Sequence, residues 1–473
     1  MPASERVWLV GRRAELWWRT LLVLIVVGWA IADADERWRA EPYEPGLIAQ
    51  SLATGHGFSY PTDQQWFYPN NDGARYRSTA WQEPIWPVAL SVVYRVIPSL
   101  ERARDAIIGI NTLLLLFTAM SLVPLATALF GPERGVPTGR VAGVALVSLP
   151  LVATEAFQEL GSAFLIGALV VVACRVVVWT LRAPSLGRGL LLGALLGVTA
   201  LAGSATLLFA PVVAGILALA PATRRRRGPV VAAAMLLAWI CAIAPWTYRN
   251  FRAFGTVVPI RTGFGLAAQS GNPVLAETFA PGIGGCPGIA EPPFRAADAD
   301  AAMQLARADG SRHQLDARPV ACVQRATGER FWTLNEAERD RISSRAGLRF
   351  IAHHPIVALQ LAWAKSKAYY TGWDAATTWA AGLALVGLAV AVVRTGNAVV
   401  PIAGLTMALL VPYLVGVPYF YRYRYPAEPI LLIFAAYACV AAWKAGISGL
   451  DARRRKAWSR KKPARLSGFE EAA

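Results

Sequence analysis

Charged side chains are what this chain has least of. Only 16% of its 473 residues are Asp, Glu, Lys or Arg, against about 25% in soluble domains. So little polar surface cannot cover the chain in water, which excludes a soluble domain. Acidic residues are the scarcer sign, 30 against 47 Lys and Arg. Cysteine, at five residues, is too sparse for a disulfide framework. Cys174, Cys241 and Cys439 fall in apolar runs and read as small core residues. Cys286 and Cys322 share one long polar segment, where pairing and free thiols are both open. The four histidines form no metal-ligand spacing, although His56 lies near an acidic cluster and leaves a divalent metal open.

What remains is apolar: 55% of the chain is hydrophobic. Runs near the length of a bilayer crossing recur at 17–32, 106–130, 141–158, 160–181, 189–203, 205–221, 229–247, 375–393, 397–417 and 428–446. The expected fold is an all-α polytopic membrane protein with about ten transmembrane helices. The pair 189–203 and 205–221 is short enough to be re-entrant.

The net charge of +17 sits in short segments between these runs. With the N-terminus inside, Arg134 and Arg140, Arg182 and Arg188, Arg224 to Arg227, Arg394 and the basic tail from Arg453 to Arg465 all fall on one side, as the positive-inside rule requires of cytoplasmic loops. That setting excludes nucleic acid and points the tail at anionic membrane lipids. The first run follows Arg6, Arg12, Arg13 and Arg19 and runs straight into Asp33, Asp35 and Glu36, so it reads as a retained anchor. The expected organisation is a transmembrane domain over 1–445, with extracytoplasmic loops 33–105 and 248–374, and a cytoplasmic tail over 446–473. The expected location is the bacterial inner membrane, with both termini cytoplasmic.

The polar residues that could carry chemistry gather in those two loops and in one short segment. Asp33, Asp35, Glu36, Glu41 and Glu44 follow the first run. A carboxylate there can act as general base toward a hydroxyl, or the cluster is a solvated acidic collar. Two amphipathic stretches, near 45–53 and 84–98, are expected to lie along the membrane surface, and a helix is expected near 335–352. Glu155 sits at the edge of an apolar run, where a carboxylate is costly unless it faces a cavity or the interface. Arg249 and Arg252 lie in an aromatic-rich run ending at Gly255, and Arg422 and Arg424 alternate with Tyr421, Tyr423 and Tyr425. Arginine forks suit phosphate oxygens; interfacial anchoring is the plainer use. Lys365 and Lys367 read as interfacial lysines.

In order along the chain stand acidic residues after the first run, then Ala49, Leu52 and Gly55, the Pro-rich stretch 84–98, and Thr154-Glu155. Pro245-Trp246 with Arg249-Asn250, Gly271-Asn272-Pro273, His354-Pro355 and the segment Arg422 to Pro426 follow. This succession resembles the bacterial GT-C glycosyltransferases, the superfamily of lipid-A aminoarabinose transferases and protein O-mannosyltransferases, over about 17–445. The resemblance implies a GT-C-like bundle with surface helices in its first extracytoplasmic loop. It implies a polyprenyl-phosphate sugar donor and a lipid, glycan or protein acceptor outside the cytoplasm. It points to Glu41 or Glu44 as the residue that acts as base or orients the acceptor; Arg249, Arg422, Arg424 and Tyr421 are the residues expected around the donor phosphate. His56, Glu83, Glu155 and Asn250 are further site candidates. Three positions depart from the family. The usual Asp-Glu pair is not intact, since Ala40 or Pro42 sits beside Glu41. Glu83 stands where the aminoarabinose transferases carry a phosphate-binding lysine, and Gly203-Ser204 lacks the arginine of many relatives. The expected reaction is a single inverting displacement; the rival is a transporter or flippase of a lipid-linked sugar.

Overall fold

The computed structural model describes residues 3–32, 44–61, 75–158, 160–219, 227–269, 272, 334–371, 374–395, 399–416 and 421–461. Glu41, Cys286 and Cys322, and the side chains of Tyr421 and Arg422, lie outside the described residues.

The described chain runs α1 (Ala3–Ala32), α2 (Glu44–Ala53), β1 (Ser59–Pro61), β2 (Tyr76–Ser78), α3 (Ile85–Val96), α4 (Leu100–Phe130), α5 (Pro132–Ser148), α6 (Pro150–Gln158), α7 (Ala163–Arg182), α8 (Leu186–Ala202) and α9 (Phe209–Leu219). It continues as α10 (Gly228–Phe254), α11 (Phe264–Gln269), α12 (Glu336–His353), α13 (Pro355–Thr371), α14 (Ala375–Thr395), α15 (Val400–Val415), α16 (Tyr421–Arg424) and α17 (Glu428–Lys461). Each expected apolar run contains helix among its described residues. Six helices among the described residues are long and apolar enough to cross a bilayer, while α8, α15 and the segment Ser204–Leu219 are shorter.

The single helix expected over 141–158 is instead two, α5 and α6, bent by 60°. The cause is local. Pro150 disfavours helical backbone at the residue before it, and Leu149 is extended, at φ −70° and ψ 124°. A second break lies at Gly203, also extended, after which the chain restarts as a 3-10 turn over Ser204–Leu208. Cys174 is buried as expected, but Cys241 and Cys439 are exposed on the outside of the bundle rather than in its core.

The closest helix pairs are made by glycines four residues apart. A Cβ on Gly143 of α5 would fall 2.9 Å from Ala119 O of α4, and one on Gly189 of α8 would fall 2.8 Å from Val231 O of α10. Gly139 faces Val123, Gly193 faces Met235 O, and Gly387 of α14 faces Phe434 O of α17 in the same way. In lipid the hydrophobic effect does not drive helices together, so small residues that let backbones touch supply the packing. Large apolar side chains such as Trp179, Trp379 and Trp443 point outward, as lipid-facing residues do.

Both expected surface helices are present. Between them the chain forms a short antiparallel ribbon, Ser59 opposite Ser78, which the sequence reading did not anticipate. The helix expected near 335–352 is α12, opened by a capping box in which Asn335 and Glu338 satisfy each other's backbone N–H. It crosses α11 at backbone contact: a Cβ on Gly347 would lie 2.8 Å from the Ala268 carbonyl carbon, and one on Gly265 would run into Asp340 O.

Candidate functional site

Glu44 opens α2, and its Oε2 accepts hydrogen bonds from Trp81 Nε1 at 2.9 Å and Gln82 Nε2 at 2.7 Å. These donors belong to the segment that leaves β2 for α3. The next residue, Glu83, turns the other way and is buried. Its Oε1 accepts from Ser204 N at 3.0 Å and Ser204 Oγ at 2.6 Å. It thereby caps the turn that restarts after the break at Gly203, where free backbone N–H groups favour an anion.

Arg261 completes the cluster. Its Nη1 lies 3.3 Å and 3.4 Å from the two Glu83 oxygens, and its Nε donates to Thr262 O at 3.0 Å. Its guanidinium stands 5.9 Å from the Trp81 ring centre. Its side chain keeps 24% of its surface, and among the described residues its Nη2 has no hydrogen-bond partner. Burial works to raise the Glu83 pKa, but the Arg261 charge and the Ser204 bonds outweigh it and hold the carboxyl below its ordinary range. Burial likewise works against the Arg261 charge; Glu83, then Tyr423 and Glu44, outweigh it and hold the guanidinium above its ordinary range. Three groups from three other stretches of chain therefore act on Arg261: Glu83, Tyr423 and Glu44.

The expected arginines are used differently. Arg249 donates from Nη1 to Thr79 O at 2.6 Å and Asn250 Oδ1 at 3.0 Å, and from Nη2 to Phe58 O at 2.6 Å. It also lies 4.9 Å from the Trp246 ring centre. It ties the first loop to the end of α10. Asn250 is fully buried, and its amide donates to Val258 O and Ile260 O, each at 3.0 Å. Trp246 Nε1 donates to Ile260 O at 2.6 Å. The motif around Pro245 to Asn250 thus folds the chain back after α10 and places Arg261. Arg424 is fully buried. Its Nε donates to Glu428 Oε2 at 2.7 Å, and its other nitrogens reach the carbonyls of Tyr369, Tyr370 and Thr377 at 3.1–3.2 Å. It joins the ends of α13 and α14 to α17, with its donors spent on protein. The Arg422 and Tyr421 side chains lie outside the described residues, but Tyr423 of the same motif reaches the cluster.

His56 is exposed, stacks on Tyr76 at 3.8 Å and has its Nδ1 2.9 Å from Thr54 Oγ1. No group of three or more metal-ligating side chains occurs among the described residues; the acidic run from Asp33 to Glu41 is not among them. Glu155 is buried, just past the break at Leu149, within electrostatic reach of Tyr425.

Lys365 is not interfacial. It is fully buried on α13, with Nζ 2.8 Å from Leu414 O and 3.4 Å from Asn272 Oδ1. Burial lowers its pKa to about 7. Tyr369, one turn further along α13, stacks on Tyr413 at 5.7 Å, and Tyr413 meets Tyr423 at 5.4 Å. A line of tyrosines therefore runs from this lysine toward Arg261. Arg261 itself was missed in the sequence. It stands alone between Ile260 and Thr262, without the aromatic alternation that drew attention to Arg424.

No family model and no curated protein sequence matches the chain. In three dimensions it is similar to the oligosaccharyltransferase of Archaeoglobus fulgidus, in a crystal structure with an acceptor peptide containing the NVT sequon tethered via a disulfide bond. The TM-score is 0.50 at 12% sequence identity, over 91% of this chain and 50% of that one. The chain thus spans about half the length of that protein, and at this identity the likeness speaks for the fold alone. The molecule is an all-α polytopic membrane protein with a GT-C-like fold.

Proposed function

We propose that the chain is a membrane glycosyltransferase that moves a sugar from a polyprenyl-phosphate donor to an extracytoplasmic acceptor, with inversion. The observation that carries the reading is the cluster of Glu44 with Arg261. One carboxylate oxygen is held by two donors, and the guanidinium beside it keeps a nitrogen that has no hydrogen-bond partner among the described residues. In this reading Arg261 takes the phosphate place expected of Arg249 and Arg424. It supplies a cation where the resembled families carry theirs, at the position of Glu83, with which it pairs from another part of the chain and which in turn binds Ser204. As the bond between the anomeric carbon and the phosphate oxygen breaks, charge grows on the phosphate, and Arg261 stabilises it. Glu44 orients the acceptor hydroxyl and takes its proton as the new glycosidic bond forms. The polyprenyl phosphate leaves on the face opposite the attack. Glu41 is the second candidate for the base.

A transporter of a lipid-linked sugar is favoured by one observation, the 60° break between α5 and α6 with Glu155 just beyond it, since transporters build sites on broken helices. Proteoliposomes loaded with undecaprenyl-phosphate-linked radiolabelled sugar separate the two, because only the transferase makes a new glycoside. Glu44→Gln and Arg261→Ala are each expected to lower transfer by about 10²–10⁴. Full transfer by both variants would end this assignment of the site.

A further inference from the structure

A buried carboxylate, Glu336, and a half-buried one, Asp340, sit one turn apart on α12, and both are spent on the segments that carry the cluster. Glu336 Oε2 accepts from Thr79 Oγ1 at 2.8 Å, and its Oε1 accepts from Ala80 N at 2.9 Å and from Thr262 Oγ1. Thr262 N in turn donates to Ala80 O at 2.8 Å, so one carboxylate grips two chain segments where they cross. Asp340 Oδ1 accepts from Gly263 N at 2.8 Å and Gly265 N at 2.7 Å. Gly263 has φ +97°, a conformation that other residues rarely adopt. Arg261 is thus followed at once by three anchors within four residues, at Thr262, Gly263 and Gly265. Glu83 lies three residues after Ala80.

Like charges four residues apart on a helix oppose each other, and burying carboxylates is unfavourable unless hydrogen bonds compensate. For Asp340, burial raises the pKa and Glu336 adds to the rise. Neutral side chains could staple two loops with less strain. What ionised acceptors add is short, directional bonds, and direction is what a guanidinium needs to keep two oxygens at 3.3–3.4 Å.

Resting on the proposed function, we infer that Glu336 and Asp340 are positioning residues for the donor-phosphate site, holding Arg261 and Glu83 in register from α12. Neither touches the reacting atoms. A displacement of about 1 Å at such a site can cost about 10²-fold in rate, so the clamp is read out as site geometry more than as stability.

The test uses the full chain in nanodiscs, with hydrogen exchange at single-residue resolution and undecaprenyl phosphate as the probe. Glu336→Ala and Asp340→Ala are expected to speed exchange at Gly263 and Gly265. They are also expected to speed exchange at Ser204 N, which neither carboxylate touches and which reports the Glu83 position. Affinity for undecaprenyl phosphate is expected to fall at least tenfold while the melting temperature of the helix bundle stays put. Glu336→Gln and Asp340→Asn, which keep an acceptor oxygen but lose the charge, are expected to restore both only in part. If the alanine variants do not fold, Thr262→Val removes one bond of the clamp alone and is expected to move the same reporters. An unmoved Ser204 amide, or affinity within twofold of the starting protein, overturns the inference. If the unaltered protein fails to bind undecaprenyl phosphate, the donor assignment falls by itself, and the Ser204 amide still judges the clamp.

Discussion

Arg261, Arg249 and Arg424 are chemically the same and are used in three ways, and the surroundings decide which. Arg424 meets five acceptor contacts on protein and keeps no exposed surface. Arg249 holds two backbone carbonyls and a side-chain amide, and Arg261 keeps a nitrogen without a hydrogen-bond partner among the described residues. Residue type and aromatic company marked the first two in the sequence. Acceptor supply, which sequence does not display, separates them from the third. Lys365 makes the same point with a basic group whose hydrogen-bond partners among the described residues are neutral oxygens. Its folded pKa is depressed to about 7, so between pH 7 and the ordinary lysine range the unfolded chain holds a proton that the folded chain lacks. Stability should therefore rise with pH across that window and fall as pH drops toward 7, each pK unit being worth about 1.4 kcal/mol. Lys365→Met is expected to flatten the dependence. Melting temperatures in detergent at pH 6.5, 8 and 9.5 check this; an equal slope in both proteins would remove Lys365 as its cause.

At the scale of elements, the apolar runs announced where helices lie, and the stretch near 335–352 was expected to be helical, as α12 is. What the runs did not announce was which helices touch. The pairs α4 with α5 and α8 with α10 depend on Gly135, Gly139 and Gly143 and on Gly189, Gly193 and Gly197, a spacing legible in the sequence only once contact is the question. Gly193→Val should force α8 away from Met235 O and destabilise the pair by about 1–3 kcal/mol. Gly187→Val on the same helix meets nothing within 4 Å and is the control. Comparable melting of the two variants would contradict backbone contact at Gly193. The break at Leu149 was also present in the sequence, as Pro150, but averaging hydropathy over a long window hid it. The β-ribbon lacked any such signal: three residues a side is too short for alternation to register.

Over the whole molecule, charge predicts orientation. Every short basic loop between apolar runs falls on one face if the N-terminus is inside. Ala183→Cys, between α7 and α8, and Arg345→Cys, on α12, should then behave oppositely in a background without native cysteines. An impermeant maleimide added to intact cells should label the second and spare the first; the reverse pattern would invert the molecule. The candidate site was legible only in outline. Its neighbourhood, the first loop and the end of α10, was marked by acids, aromatics and arginines. Its membership was settled by chain segments about 180 residues apart, Glu83 and Arg261, whose meeting no local pattern encodes. One consequence of that meeting concerns selectivity. Because Glu83 and Glu44 already balance Arg261, the empty site offers a free anion such as inorganic phosphate or a nucleotide little long-range attraction. A ligand delivered along the bilayer by its own tail does not depend on such attraction, so discrimination against soluble phosphates would come from the route of arrival rather than from the fit of the headgroup.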